Sequence, residues 1–554
     1  MLFPDVFIDS LLSGGVDYVF TVAAENIMPL LRALAFHGIH VINAKFEPSM
    51  GFMGLVYSRL SSRPGVIIAT AGPGVFGAIS PTAQAFIEGD PMVIIATVVR
   101  DGRGTQMHQL PSDDAQLMAF KPITKATFRI NNPEEVGDVL MKAFSIALSG
   151  KPGPVYVEIP LDIVNSNVEH VAKQQYNIER PLASDEEVAE VADLLAEAEY
   201  PVILVGRGVR IANAEKLVIR LAELLNSPIV TTVMAKYVIP SNHRLYAGVA
   251  VGKAGSMVAH EVLSKADVVL AVGNRFSEIG TGRYSLDIRG KLIHVNVDPY
   301  DLGRAYKPYI SILSDVHYFL EKLLQELRKR NIRRREDIPG ELRRLWSLEN
   351  EDLDKYYTGL SGGIKPWEVI KAVRSVFVRK NTVFIGDVGA HRIESFLMPI
   401  YEGERYITTT SYVSMGLAVP GAVVSSIMYP DRDVVGLVGD GGFLMTGLEV
   451  STAVQYGAKP KIVVFNDSAY RVLGVYEKVR FGGVTDELVR LPQVNFTMLA
   501  ESLGAKGVVV HDRSELISAL EEALNTDKAC VVDVHIDQKA IPIPYQRLYG
   551  ISTL

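Results

Sequence analysis

Asp440 and Asp467 stand 27 residues apart, each after a valine-rich run, and as a pair they could hold a metal-bridged diphosphate. The first run, Asp433–Val438, predicts a strand that opens into V-G-D-G-G. Glycine on both sides of Asp440 permits a tight turn and a close backbone approach. Helical spacing follows over Phe443–Tyr456, with Gly457 as a C-terminal stop and Pro460 beyond it. Lys461–Phe465 predicts a second strand, which delivers Asn466 and Asp467. A strand–helix–strand unit forces the strands parallel, so both acids fall on one carboxyl edge. Open α/β sheets bind ligands at that edge. Two carboxylates with helix N-terminal N–H groups between them suit Mg2+ on a diphosphate. Taken alone, a G-D-G is more often an ordinary βαβ turn, so the rest of the chain must decide.

The elements that would position this pair recur along the sequence. Strands are predicted at Asp17–Phe20, Gly65–Ala69, Met92–Thr97, Val155–Ile159, Pro201–Val205, Ile229–Thr232, Val268–Val272, Lys291–Val297 and Thr382–Ile385. They alternate with helical stretches, which predicts a parallel α/β architecture. Asn165–Pro181 is a polar connector, and Arg328–Ser361 reads as a solvated helical connector of mixed charge. These breaks predict three doubly wound parallel-sheet domains, about 1–170, 183–340 and 362–554, the middle one Rossmann-like. A chain of 554 residues is too long for one core.

Composition narrows the function classes. A net charge of −7 gives no basic surplus for nucleic acid. No apolar run has the length of a membrane span, and Asp5 and Asp9 interrupt any leader-like start. The single cysteine, Cys530, lies in the apolar run Ala529–Val534 and predicts a buried strand residue. One cysteine makes no intrachain disulfide and no zinc cluster, which favours a cytoplasmic setting.

Other segments carry further chemistry. Glu47 heads the helical run Met50–Leu60 in K-F-E-P-S-M-G-F-M-G-L-V-Y-S-R, where the helix dipole alone would favour an acid. Thr70-Ala71-Gly72-Pro73-Gly74 follows a strand and makes a glycine turn. Asp387-Val388-Gly389-Ala390-His391 follows another. Met415 sits in Y-V-S-M-G-L-A, where a methionine is ordinarily core, and His391 could equally be a structural hydrogen-bonding histidine.

Taken together, these segments resemble the thiamine-diphosphate (ThDP) enzymes, with acetolactate synthase large subunits the nearest group. The G-D-G to Asn-Asp interval, the F-E-P segment with Tyr57 and Arg59, the T-A-G-P-G turn and the P-G-P-V to P-L-D stretch at 152–162 carry the N- and C-terminal parts. Pro228–Thr232, Gly273-Asn274-Arg275-Phe276 and Ile293–Pro299 carry the middle. The resemblance implies a pyrimidine-binding domain, a central domain and a diphosphate-binding domain. It implies that Glu47 contacts the aminopyrimidine and promotes loss of the thiazolium C2 proton. Thr70, Gly72 and Gly74 would lie by the pyrimidine or substrate, and Met415 would support the bent cofactor. Gly389, His391, Gly439, Asp440, Gly441, Gly442, Asp467 and Tyr470 would bind the cofactor. Asp440, Asp467 and the Ala469 carbonyl would ligate Mg2+. His108 and Gln109 join Glu47 as catalytic candidates, Gln109 keeping the glutamine of a family G-T-x-x-F-Q-E segment. His108, beside the cofactor, could shuttle a proton. Glu47 and Asp440 would meet across subunits, giving a homodimer or homotetramer.

The resemblance also implies a 2-oxo acid substrate, decarboxylated and then ligated to a second carbonyl. Several positions depart from it. Asp467 stands where Asn is usual, Val98 where a glutamine is usual, and Tyr476 where a tryptophan shapes the acceptor pocket. Thr21 and Glu25 replace glycines. A 2-oxoacid decarboxylase and a 2-hydroxyacyl-CoA lyase or oxalyl-CoA decarboxylase therefore stay open, as does a non-catalytic nucleotide-binding homologue. FAD, ADP or nothing would occupy the central domain, since Asn274 and Ser277 depart from the flavin-type G-A-R-F-D.

Overall fold

The computed structural model describes residues 2–99, 110, 112–168, 176–333, 337–357, 362–378 and 381–551. They form two compact units. The first comprises 1–179 with 412–430 and 445–460, and the second comprises 180–411, 431–444 and 461–554.

The first unit holds β1 (Tyr18–Thr21), β2 (His40–Asn43), β3 (Gly65–Ala69), β4 (Met92–Val98), β5 (Ala126–Arg129) and β6 (Pro154–Pro160). All run parallel in the order β2-β1-β3-β4-β6-β5. The central β3 and β4 are buried throughout, as continuous apolar runs in parallel sheets must be. Phe3, Phe7 and Leu11 of helix Phe3–Ser13 share a core with Leu140 and Phe144 of helix Val136–Leu148 and with Val66, Ile68, Val93 and Ile95. Helix Glu47–Ser61 packs on β3 and on helix Ala418–Met428.

The second unit holds two more sheets. One contains β7 (Pro201–Val205), β8 (Ile229–Thr231), β9 (Tyr246–Val249), β10 (Val268–Val272), β11 (Lys291–Asn296) and β12 (Ile310–Leu313) in the order β12-β11-β10-β7-β8-β9. The other contains β13 (Val383–Gly386), β14 (Arg405–Ile407), β15 (Val434–Gly439), β16 (Lys461–Asn466), β17 (Lys506–Val510) and β18 (Cys530–His535) in the order β14-β13-β15-β16-β18-β17. Every pairing in both sheets is parallel. Counted within each sheet, the first and last share the order 2-1-3-4-6-5, and the middle one reads 3-2-1-4-5-6. Both are doubly wound orders, with the strand direction of progress reversing at one switch point. Cys530 is a free, buried residue of β18, as its apolar run predicts, and burial pushes its thiol up to about 11.

Two sequence expectations need correction. The helix expected over Phe443–Tyr456 begins at Asp440, is interrupted by a 3-10 turn at Gly447–Glu449, and resumes over Val450–Gln455. Gly457 follows it with φ +64, the left-handed conformation of a helix stop. The stretch expected to be a solvated connector instead packs helix Ile338–Tyr357 on the central core through Ile338, Leu342 and Trp346. The Trp346 indole stacks on Tyr246 and donates to its carbonyl. No helix among the described residues is long and apolar enough to cross a membrane.

Candidate cofactor site

In the last sheet the switch point lies between β13 and β15, and β16 is the next strand along. Three acids follow these three strands: Asp387, Asp440 and Asp467. Asp440 and Asp467 are both buried, at 4% and 5% exposure. The Asp440 carboxylate organises the loops around it. One oxygen accepts the Gly441 N–H at 2.7 Å, and the other accepts the N–H groups of Asp467 at 3.3 Å and Ala469 at 3.1 Å. The two loops, 27 residues apart in sequence, are thereby joined.

The glycines of the turn let it pack this tightly. A Cβ on Gly441 would fall 2.5 Å from the Tyr470 ring, and one on Gly442 would fall 3.4 Å from the Asp387 carboxyl carbon. Gly389 and Gly439 lie against His391 in the same way. The His391 ring is buried and stacks on Phe465, with centroids 5.2 Å apart. Burial, reinforced by the neighbouring Arg392, lowers its pKa to about 3, so the ring is neutral. Its Nε2 has no hydrogen-bond partner among the described residues.

The electrostatics of the pair favour positive charge beside it. Burial and the repulsion of Asp467 push the Asp440 carboxyl up. Burial also pushes Asp467 up, and outweighs the attraction of Arg471, whose Nε donates to it. Two desolvated carboxylates side by side favour a bound hard cation. Among the described residues no three His, Cys, Asp or Glu side chains converge on one point. An ion here would complete its shell with carbonyl and ligand oxygens, as Mg2+ does on phosphates. The Ala469 carbonyl accepts the Arg471 N–H at 2.9 Å. A carbonyl has a second lone pair, so the bond leaves it able to ligate.

The other candidates lie in the first unit. Glu47 is half-buried at the first position of helix Glu47–Ser61. A Cβ on Gly77 would fall 2.5 Å from the Glu47 Cβ, so helix Pro73–Gly77, which leaves the T-A-G-P-G turn, lies against it. Thr70 touches Gly74, and its carbonyl accepts the Val75 N–H at 3.0 Å. Met415 is half-buried on the segment 412–417 of the same unit, next to Gly416, whose carbonyl accepts from Thr446. The structure thus brings Glu47 together with the glycine turn, and Asp440 with Asp467, Ala469, Tyr470, Gly389 and His391. His108 and Gln109 lie outside the described residues.

Three family descriptions match the chain in order. They are "Thiamine pyrophosphate enzyme, N-terminal TPP binding domain" over residues 1–117, "central domain" over 188–323 and "C-terminal TPP binding domain" over 387–534. The chain belongs to the thiamine pyrophosphate enzymes. Its relatives include a "Probable acetolactate synthase large subunit" of Methanocaldococcus jannaschii, 28% identical over 99% of this chain and 94% of that one. An "Acetolactate synthase large subunit" of Haemophilus influenzae is 28% identical over 98% and 96%. An "Acetolactate synthase" of Bacillus subtilis is 28% identical over 96% and 93%.

Within this thiamine pyrophosphate enzyme, other residues prove to be framework. Tyr57 donates to Asp17, and Arg59 makes buried ion pairs with Glu88 and Asp90, fixing helix Glu47–Ser61 to its sheet. Three residues escaped the sequence reading. Gln116 is fully buried and accepts the Gly72 N–H at 2.7 Å while donating to the Thr97 carbonyl and Tyr156 hydroxyl, which makes it the support of the T-A-G-P-G turn. Nothing in its local sequence marks it. Asp387 follows a strand and precedes V-G, the same pattern that marks Asp440. Arg471 stands four residues after Asp467, the spacing of an i,i+4 ion pair.

Proposed function

We propose that this enzyme is an acetolactate-synthase-like carboligase that uses ThDP and Mg2+. The substrate is a 2-oxo acid: its carboxylate–carbonyl bond breaks, CO2 leaves, and the former carbonyl carbon bonds to the carbonyl carbon of a second 2-oxo acid. A proton completes the new hydroxyl. The observation that carries this reading is the buried Asp440–Asp467 pair on neighbouring strand ends of the match to the diphosphate-binding domain. The full-length similarity to acetolactate synthases supports the reaction class.

In this reading Asp440, Asp467 and the Ala469 carbonyl hold Mg2+ against the diphosphate. Gly389, Gly439, Gly441, Gly442, His391 and Tyr470 line the cofactor. When bound, the cofactor would supply a nucleophilic carbon and an electron sink for the decarboxylation. Glu47 would hydrogen-bond the aminopyrimidine and set its protonation, Thr70, Gly72 and Gly74 would approach it with backbone, and Met415 would support it. His108 and Gln109 serve the substrate. Domain limits near 1–170, 183–340 and 362–554 accompany this reading, with Glu47 and Asp440 serving one site across a homodimer or homotetramer.

FAD is the further cofactor to test in the central domain. At the switch point between β7 and β10 the N–H groups that could cradle a pyrophosphate are used internally. Gly206 donates to the Val272 carbonyl, Gly208 to Gly273, and Gly273 to Val295. Purified protein that gains no flavin absorbance on incubation with FAD would make the central domain a structural one.

A specific observation supports aldehyde release as a second outcome. Val98 is buried at 3% exposure at the end of β4, an apolar side chain where a glutamine would hydrogen-bond the acceptor. The test is pyruvate turnover with ThDP and Mg2+, resolving acetolactate from acetaldehyde. Acetolactate in any substantial share supports carboligation. Acetaldehyde alone makes the enzyme a decarboxylase, and no turnover of any 2-oxo acid removes the reading.

A further inference from the structure

Arg471 opens helix Arg471–Phe481 and donates from Nε to Asp467. The Asp467 side chain is buried and that of Arg471 is nearly so, at 9% exposure. The Arg471 Nη2 is buried with no hydrogen-bond partner among the described residues. A cation in the first turn of a helix opposes the helix dipole. What holds Arg471 there is therefore Asp467 and not its own helix.

Asp467 is also one of the two carboxylates assigned above to the divalent cation. A guanidinium and a divalent cation on one buried carboxylate repel each other strongly at low dielectric. We propose that Arg471 is the resident counter-ion of the metal position. It neutralises Asp467 in the metal-free protein, yields that carboxylate to the incoming cation, and turns its guanidinium to an oxyanion. The inference rests on the cofactor-site reading of Asp440 and Asp467.

The second half follows from what guanidinium chemistry allows. Arginine does not deprotonate in proteins, and a buried charge that loses its partner is strongly destabilised. The freed group needs an anion nearby. Arg471 lines a cavity of roughly 320 Å³ with Asp467, Tyr470, Asp486, Arg490 and Lys539. Asp486 pairs with Arg490 at 2.7 Å, and the cavity's other cation is Lys539. A phosphate oxygen of the diphosphate and the carboxylate of a 2-oxo acid share the oxyanion chemistry that a planar guanidinium accepts. In a metal-loaded protein either one replaces Asp467 as the partner of Arg471.

The test uses Mn2+ as a paramagnetic stand-in for Mg2+, with free Mn2+ read by electron paramagnetic resonance on the full chain without cofactor. Arg471→Ala is expected to bind Mn2+ about tenfold more tightly than wild type, because the competitor is gone. Arg471→Lys keeps a charge and should stay close to wild type, which separates competition from a packing defect. In the Asp467→Asn background the Arg471→Ala change should have no effect on Mn2+. Unchanged or weaker Mn2+ binding by Arg471→Ala would overturn the counter-ion role. Titrating Mn2+-loaded proteins with inorganic pyrophosphate and, separately, with pyruvate identifies the oxyanion as the one whose binding weakens several-fold in Arg471→Ala. If neither weakens, the capture step is wrong. A wild-type protein that binds neither Mn2+ nor ThDP would sink the cofactor-site reading itself. Normal wild-type binding with an indifferent Arg471→Ala sinks only this inference.

Discussion

The central and C-terminal sheets are both six-stranded, parallel and doubly wound, yet their switch points differ in chemistry. At the central one, between β7 and β10, the loops pack on each other and most of their polar groups pair internally, the buried Asn274 Nδ2 excepted among the described residues. A Cβ on Gly206 would fall 2.1 Å from the Gly273 carbonyl, so the two loops touch with no room between them. The Asn274 carbonyl accepts from His294 at 2.7 Å and from Asn296 at 2.9 Å, and its side chain accepts the Phe276 N–H at 2.8 Å. Burial lowers the His294 pKa, consistent with a neutral ring donating from Nε2. At the C-terminal one, two carboxylates are buried beside each other with one guanidinium between them and solution, and His391 keeps an unused nitrogen. Two doubly wound sheets of different strand order thus present one edge packed shut and one edge carrying two buried carboxylates. The chemistry is read from the side chains at each edge.

The sharpest way to break this contrast is to remove one residue from each edge. Asp440→Ala should weaken ThDP binding by at least about 100-fold, since a buried charged partner and its loop bonds vanish together. Asn274→Ala should leave ThDP affinity within about twofold while lowering stability by about 1–3 kcal/mol, because the Phe276 N–H loses its acceptor. Calorimetric titration and denaturant melts read the two effects. Equal losses of ThDP affinity would erase the distinction between the edges.

The first unit supplies the next test. Glu47→Gln should bind ThDP nearly as wild type does but slow proton exchange at the cofactor's C2 carbon by orders of magnitude, measured by NMR of the bound cofactor. Exchange at the wild-type rate would remove Glu47 from the site.

The sequence foretells the inner strands and not the edges. β2, β5, β9, β12, β14 and β17 were not expected, and they are the two outermost strands of each sheet. Inner strands such as β3 and β10 are buried on both faces and show as unbroken apolar runs. Edge strands such as His40–Asn43 and Ile310–Leu313 alternate with exposed residues over only a few positions. The site divides in the same way. Asp440 and Asp467 were legible because chain order alone sets both on adjacent parallel strand ends. Gln116 was not, because the bonds that define it reach 44 residues back to Gly72 and 40 residues on to Tyr156. The break at Gly447–Glu449 starts on a glycine, a local signal that the apolar spacing around it outweighs in a reading of the sequence.

A further contrast lies between buried acids of the second unit. Glu394 ends helix Ala390–Glu394, accepts the Ile543 N–H at 2.9 Å, and is pushed by burial from an ordinary 4.5 up to about 8. The Ile543 N–H and Arg547 offset only part of the burial, so the proton is retained. The folded protein keeps this proton as pH rises from 4.5 toward 8, whereas the unfolded chain loses it. The contribution of Glu394 is therefore full below 4.5 and is lost as pH rises through about 8. Wild type minus Glu394→Gln should lose stability across that window, on the order of a few kcal/mol at most. A flat difference in pH-dependent melts would contradict it.

The smallest expected effect concerns product choice. Tyr476 lies on helix Arg471–Phe481 at 51% exposure, edge-on to Phe481, and Val98 ends β4. Restoring Val98→Gln and Tyr476→Trp together should raise the acetolactate share from pyruvate about fivefold, the worth of one hydrogen bond of about 1 kcal/mol. A wild type already selective for acetolactate would make both substitutions irrelevant.

In the proposed function the Asp440–Asp467 edge holds ThDP through a divalent cation. Titrating ThDP into the purified wild-type chain, once with Mg2+ and once with EDTA, tests it directly. Saturable binding is expected with Mg2+, lost in EDTA and recovered when Mg2+ is restored. Equal binding in EDTA, or none in either condition, would contradict it.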